Sequence, residues 1–208
     1  MSTPRPARLN PLVLYGRSRG LLAASAALVC AALITLWVAG RPDAYLDPYR
    51  RVPLLSLAPL LASAATGVSL HTSTPELDRT AVRAWWPRRL AHLLALTALA
   101  AAVLALAVPG HTQVFGAAGM VRNTLGATGL TAAGAVLLGA RASWIPATLY
   151  LSAVYLSAAS PRLNGQAALT WPVQPGPQPG AWAAAVTLFV LGTALYTVCG
   201  ARAEGPRG

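Results

Sequence analysis

The densest run of chemistry-bearing side chains in this sequence is Ser73-Thr74-Pro75-Glu76-Leu77-Asp78-Arg79, with Arg83, Trp85, Trp86 and Arg88 following closely. Ser73 stands three residues before Glu76, the spacing of a capping box, in which the serine side chain and the glutamate side chain satisfy each other's free backbone N–H groups. Proline fits the first turn because its missing N–H would have no partner there anyway. A short helix is therefore expected to start at this point and stop before Pro87. Leu77, Ala81 and Trp85 fall at four-residue spacing, with Asp78, Arg79 and Arg83 elsewhere on the surface. Such a helix is amphipathic and lies along a membrane surface or docks on a partner.

Elsewhere the chemical inventory is short. All 16 basic residues are arginine and lysine is absent, which excludes a P-loop lysine and a lysine Schiff base. The five acidic residues, Asp43, Asp47, Glu76, Asp78 and Glu204, avoid the apolar runs, so no carboxylate is placed at membrane depth to couple transport to an ion. HExxH does not occur, and no GxSxG nucleophile elbow falls within the apolar runs. No catalytic residue, cofactor or metal site is expected. His92 stands about one turn inside an apolar run, where it can reach the interface. Cys30 and Cys199 sit in apolar runs near opposite ends and read as small buried packing residues. The net charge of +11 comes from arginines scattered singly and in pairs rather than gathered on one face, which argues against nucleic acid as a partner.

The elements that position these residues follow from composition. The chain of 208 residues is 55% hydrophobic and 10% charged, against about 25% charged in soluble domains. Lipid is its expected surrounding. A helix crossing the hydrocarbon core needs about 20 mostly apolar residues, and six stretches qualify, at 21–39, 52–70, 90–108, 123–140, 142–160 and 181–200. The expected fold is all-α: a polytopic domain over 21–200, with a basic amino tail at 1–20 and a carboxyl tail at 201–208. The first run is too long for the core of a cleaved signal, about 7–15 residues, and reads as an uncleaved span. Pro59 is expected to kink the second span. The short link at Arg141 makes the fourth and fifth spans an antiparallel hairpin.

Six spans place both termini on one side. That side carries 11 arginines and the opposite side 5, with Arg122 assigned to the loop before the fourth span. The positive-inside rule then puts both termini in the cytoplasm. Within the spans, Ala65 and Ser69, Ala98 and Ala102, and Thr131, Ala135 and Gly139 recur at four-residue spacing, as close helix packing requires. Serine and threonine there read as bridges between helices. Trp37, Trp144, Trp171 and Trp182 fall near span ends, as interfacial anchors do. Four prolines between Trp171 and Gly180 prevent regular helix through the second half of the fifth loop, which is expected to contain at most one helical turn, at 166–170. That loop reads as an external cap or gate.

These features together resemble the permease subunit of an ABC-2-type transporter, and more narrowly the small alanine- and arginine-rich permeases of actinobacteria. The resemblance rests on Glu76-Leu77-Asp78-Arg79-Thr80-Ala81 and Arg122-Asn123-Thr124-Leu125-Gly126, on Leu138-Gly139-Ala140-Arg141 with Trp144 and Pro146, and on Trp171-Pro172. It implies a multi-pass protein of the bacterial cell membrane that serves an ATP-driven exporter. A separate cytoplasmic ATP-binding subunit would be met by Glu76, Leu77, Asp78, Arg79 and Arg83 of the loop helix. A second permease copy or paralogue would complete the assembly. The alternative is a membrane subunit for immunity or assembly that binds a partner without transporting; a secondary transporter is the third class.

Overall fold

The computed structural model describes residues 21–39, 48–71, 86–108, 116–158 and 167–203. Every regular element among them is helical. The elements are α1 (Leu21–Ala39), α2 (Pro48–Ser69), α3 (Trp86–Ala107), α4 (Gly116–Leu138), α5 (Ile145–Ala158), a 3-10 turn (Trp171–Val173) and α6 (Pro179–Cys199). The all-α expectation holds for these residues. Two helices, α3 and α6, are long and apolar enough to cross a membrane, while Ser25–Trp37, Ser56–Ser69 and Ile145–Ser157 form shorter apolar helices. Six full crossings are thus more than length and composition support. At a rise of about 1.5 Å per residue, the 14 residues of α5 extend about 21 Å, less than the ~30 Å of a hydrocarbon core.

The reason α4 falls short of an apolar span lies in its neighbours. It packs against α2, α3, α5, α6 and the 3-10 turn, with α1 attached through α2 and α3. Of its 23 residues 14 are buried, and these are mostly glycine, alanine and threonine with Arg122 and Asn123 among them. A central helix that meets protein on every side has no need of large apolar side chains. The crossing of α4 and α6 is backbone on backbone: a Cβ on Gly192 would overlap the carbonyl of Gly129, and one on Gly129 would overlap that of Leu188. Small residues allow this approach. Thr131, Ala135 and Gly139 are buried as their spacing requires, whereas Ala98 and Ala102 face outward.

The interior combines apolar cores, in which Leu28, Leu70, Leu93 and Leu104 are buried, with many hydroxyls, and the outer surface is apolar as well. Ser56, Ser63, Thr66, Thr97, Thr124 and Thr197 are buried, while Leu106 is 79% exposed, Leu156 82% and Val198 79%. A groove of about 340 Å³ between α1 and α2 is lined by Ala27, Cys30, Ala31, Ile34, Leu61 and Val68 among other apolar residues. Cys30 and Cys199 are exposed on this outer surface rather than buried. An outward position is where an apolar thiol belongs when the exterior is the apolar side. The buried hydroxyls mostly serve their own helices, as Thr66 to Ala62 O (3.0 Å), Thr97 to Leu93 O (2.7 Å) and Thr124 to Met120 O (2.8 Å) show. Bridges between helices occur at Ser56 with Tyr155, from α2 to α5, and at Ser69 with His92 (3.2 Å), from α2 to α3.

The α4–α5 link is as tight as expected. Gly139, at φ 92°, ends α4 in the left-handed region that favours glycine, and six residues later α5 begins. The segment after α6 returns to the same place. The Arg202 backbone N–H donates to Ala135 O (2.9 Å), which also accepts from Gly139 N–H (3.1 Å), and its guanidinium Nη1 donates to Leu137 O (3.1 Å), a carbonyl at the end of α4 where the helix supplies no donor. Pro59 stands inside α2, which is helical on both sides of it.

Candidate functional site

The site is built on α4 at one end of the bundle. That helix begins at Gly116, seven residues before the expected start of the fourth span, so Arg122 is inside the helix and not in a water-facing loop. Its side chain is 0% exposed. The guanidinium donates from Nε to Asn123 Oδ1 (3.1 Å), from Nη1 to Pro175 O (2.7 Å) and from Nη2 to Gln174 O (2.7 Å). Asn123 adds a fourth bond, from Nδ2 to Pro172 O (2.7 Å). Two neighbouring residues of α4 therefore hold the 171–175 segment by its backbone carbonyls.

Donor and acceptor numbers explain the choice of partners. Prolines 172, 175, 177 and 179 contribute carbonyls without N–H groups, so this loop has acceptors in excess. Arginine has five N–H donors and no acceptor. A buried cation is strongly penalised unless its hydrogen bonds are made, and here three are made with good geometry. All five carboxylates of the chain lie outside the described residues, so within them Arg122 is held by neutral oxygens alone.

Beside this clamp the Trp171 indole is buried, 3% exposed, in a socket among α2, α4 and α5. Its ring lies flat against Gly126, where a Cβ would come within 2.5 Å of Cη2. On another side it stacks on Tyr150, with centroids 6.0 Å apart and planes 16° from parallel. The Tyr150 hydroxyl donates to Leu169 O, a second attachment of the same loop. Among the described residues the indole Nε1–H has no partner of hydrogen-bonding geometry. A cavity of about 20 Å³ adjoins the ring, lined by Ser56, Leu60, Asn123, Ala127 and Leu151 among others. It has room for about one water.

Trp171 is therefore an interior residue, in contrast to its expected place as an interfacial anchor. Trp37 and Trp144 are 62% and 42% exposed, as anchors should be, and Trp182 is half-buried with Nε1 donating to Gly176 O (2.8 Å). The helical turn expected at 166–170 is replaced by turns over 167–170 and the 3-10 turn that follows. The partner-coupling residues Glu76, Leu77, Asp78, Arg79 and Arg83, with the rest of the capped helix, lie outside the described residues. His92, in the first turns of α3, meets Ser69 across the helix interface.

Comparison with protein-family models, with curated proteins and with solved structures gave no match.

Proposed function

We propose that this chain is a multi-pass membrane protein of the bacterial cell membrane and the permease subunit of an ATP-driven exporter. The observation that carries the membrane part is the apolar exterior, with many large aliphatic side chains facing outward while hydroxyls, Asn123 and Arg122 share the interior with apolar cores. A water-soluble bundle of this size does not present its leucines and valines to solvent around its girth. On this reading the helices lie in the bilayer and both termini are cytoplasmic.

The permease part rests on the resemblance of Glu76–Ala81 and the accompanying motifs to ABC-2-type subunits. The capped helix on the cytoplasmic side meets a soluble ATPase, with Glu76, Asp78, Arg79 and Arg83 pairing with its charges and Leu77 as the apolar anchor. Closure of two such ATPases pushes the loop helices and rocks two bundles against each other. The shift requires that the loop helix bind the two ATPase states unequally. Co-purification tests it: the chain should bring down a P-loop ATPase, and Glu76→Arg with Arg79→Glu should weaken that pairing at least tenfold. A complex without any nucleotide-binding protein refutes it.

One observation favours the second reading, a membrane subunit for immunity or assembly. The interior cavity beside Trp171 has room for about one water, at about 20 Å³, so one copy in this state offers no passage there. If the chain pairs with itself and ATP depletion leaves export unchanged, the non-transporting reading stands instead.

A further inference from the structure

We propose that the 170–175 segment is an internal ligand, filling a site on α4 that takes a flat aromatic anion. The segment imitates one at two points. Gln174 O and Pro175 O offer Arg122 a pair of oxygens, each at 2.7 Å from a separate terminal nitrogen, the fork geometry with which arginine grips the two oxygens of a carboxylate. The Trp171 indole supplies the flat ring, held against Gly126 and stacked on Tyr150. Arg122 and Gly126 are four residues apart on α4 and so lie one above the other, about 6 Å apart. A ring with a carboxylate one methylene away spans that distance.

Two features show that the loop is an imperfect occupant. Among the described residues the two terminal nitrogens of the cation are answered by neutral carbonyls, oxygens that carry no full charge to set against it. The indole N–H is buried without a proper hydrogen bond, next to unfilled space. A ligand that neutralises Arg122 and satisfies the socket competes with the loop and frees the 170–175 segment. The inference concerns one copy of the chain and does not depend on an ATPase.

The test uses the full chain in lipid nanodiscs, with indole-3-acetate as probe and indole-3-acetamide as its neutral counterpart. Trp171→Ala empties the socket. Its unfolding midpoint rises with millimolar indole-3-acetate, at least tenfold more acetamide is needed for the same rise, and Arg122→Gln in the same background abolishes the response. A Trp171→Ala protein indifferent to both compounds, or equally sensitive to both, overturns the proposal. A second measurement does not need that variant to fold. In a Cys30→Ser, Cys199→Ser background, Ala127→Cys reports on the socket and Ala132→Cys on a distant part of the core. Asn123→Ala, which removes the bond to Pro172 O, raises labelling of Ala127→Cys by a water-soluble methanethiosulfonate at least tenfold and leaves Ala132→Cys protected. Unchanged labelling of Ala127→Cys, or equal exposure of both, refutes a releasable loop. Failure of the co-purification above would leave these results standing, and the reverse also holds.

Discussion

The contact of Trp171 with Gly126 makes a prediction whose sign depends on the loop. Placing a methyl group at Gly126 puts it 2.5 Å from Cη2 of the indole and 2.8 Å from Cζ2 and Cζ3. The ring must move, and overpacking of this kind costs about 1–3 kcal/mol. Against it stands the helix preference for alanine over glycine, about 0.8–1.0 kcal/mol. Gly126→Ala is therefore neutral to destabilising by about 2 kcal/mol in the native chain. With Trp171→Ala the clash is gone, and the same change stabilises by about 1 kcal/mol. The coupling between the two positions is the overpacking term itself, about 1–3 kcal/mol. Four proteins unfolded in one lipid composition measure it: native, each single variant and the double. If the two changes add within about 0.5 kcal/mol, the indole does not occupy the socket and the site as described is wrong.

Arg122→Lys should be no more stable than Arg122→Met: a lysine reaches at most part of the fork and still buries a cation, whereas methionine gives up the charge and takes the donor from Gln174 O and Asn123 Oδ1, at about 1–3 kcal/mol each, while Pro175 O keeps its bond from Gln178 N–H (3.3 Å). Unfolding midpoints of both variants check this, and a lysine variant equal to the native protein contradicts it. Cys30, exposed in the middle of α1, should resist a charged, water-soluble thiol reagent in bilayers and react in denaturing detergent, because a charged reagent does not enter hydrocarbon. Labelling in bilayers at the rate of a free thiol would place that face of α1 in water and remove the membrane reading.

The sequence made the peripheral helices legible because their boundaries are chemical. For α1 a charge-free run ends at Gly40-Arg41-Pro42, and the helix occupies 21–39 as expected. The hairpin of α4 and α5 was legible from its short link, and the close-packed face at Thr131 and Ala135 from its spacing. The start of α4 was hidden by the premise that an arginine marks water. That premise fails when a loop of prolines supplies the oxygens, and the surplus of carbonyls in 172–179 was the signal to read beside Arg122-Asn123. Trp171 was misplaced for a similar reason. A tryptophan next to a proline near a helix end looks like an anchor until the glycine that receives it, 45 residues earlier, is known. The exposed cysteines follow from the apolar exterior, which spacing alone does not reveal because an apolar face reads the same whether it meets lipid or core.

The contact of Gly129 with Gly192 and the cap that Arg202 places on Ala135 and Leu137 both join the central helix to residues made long after it. On the membrane reading proposed above, α4 therefore waits during synthesis with its glycine seam unfilled on one flank and the carbonyl of Leu137 without Arg202. Both gaps close in one step, when α6 slides into the seam and carries Arg202 with it. Until then the open carbonyl is a group that lipid tolerates poorly, so α6 completes the central helix at its side and at its end.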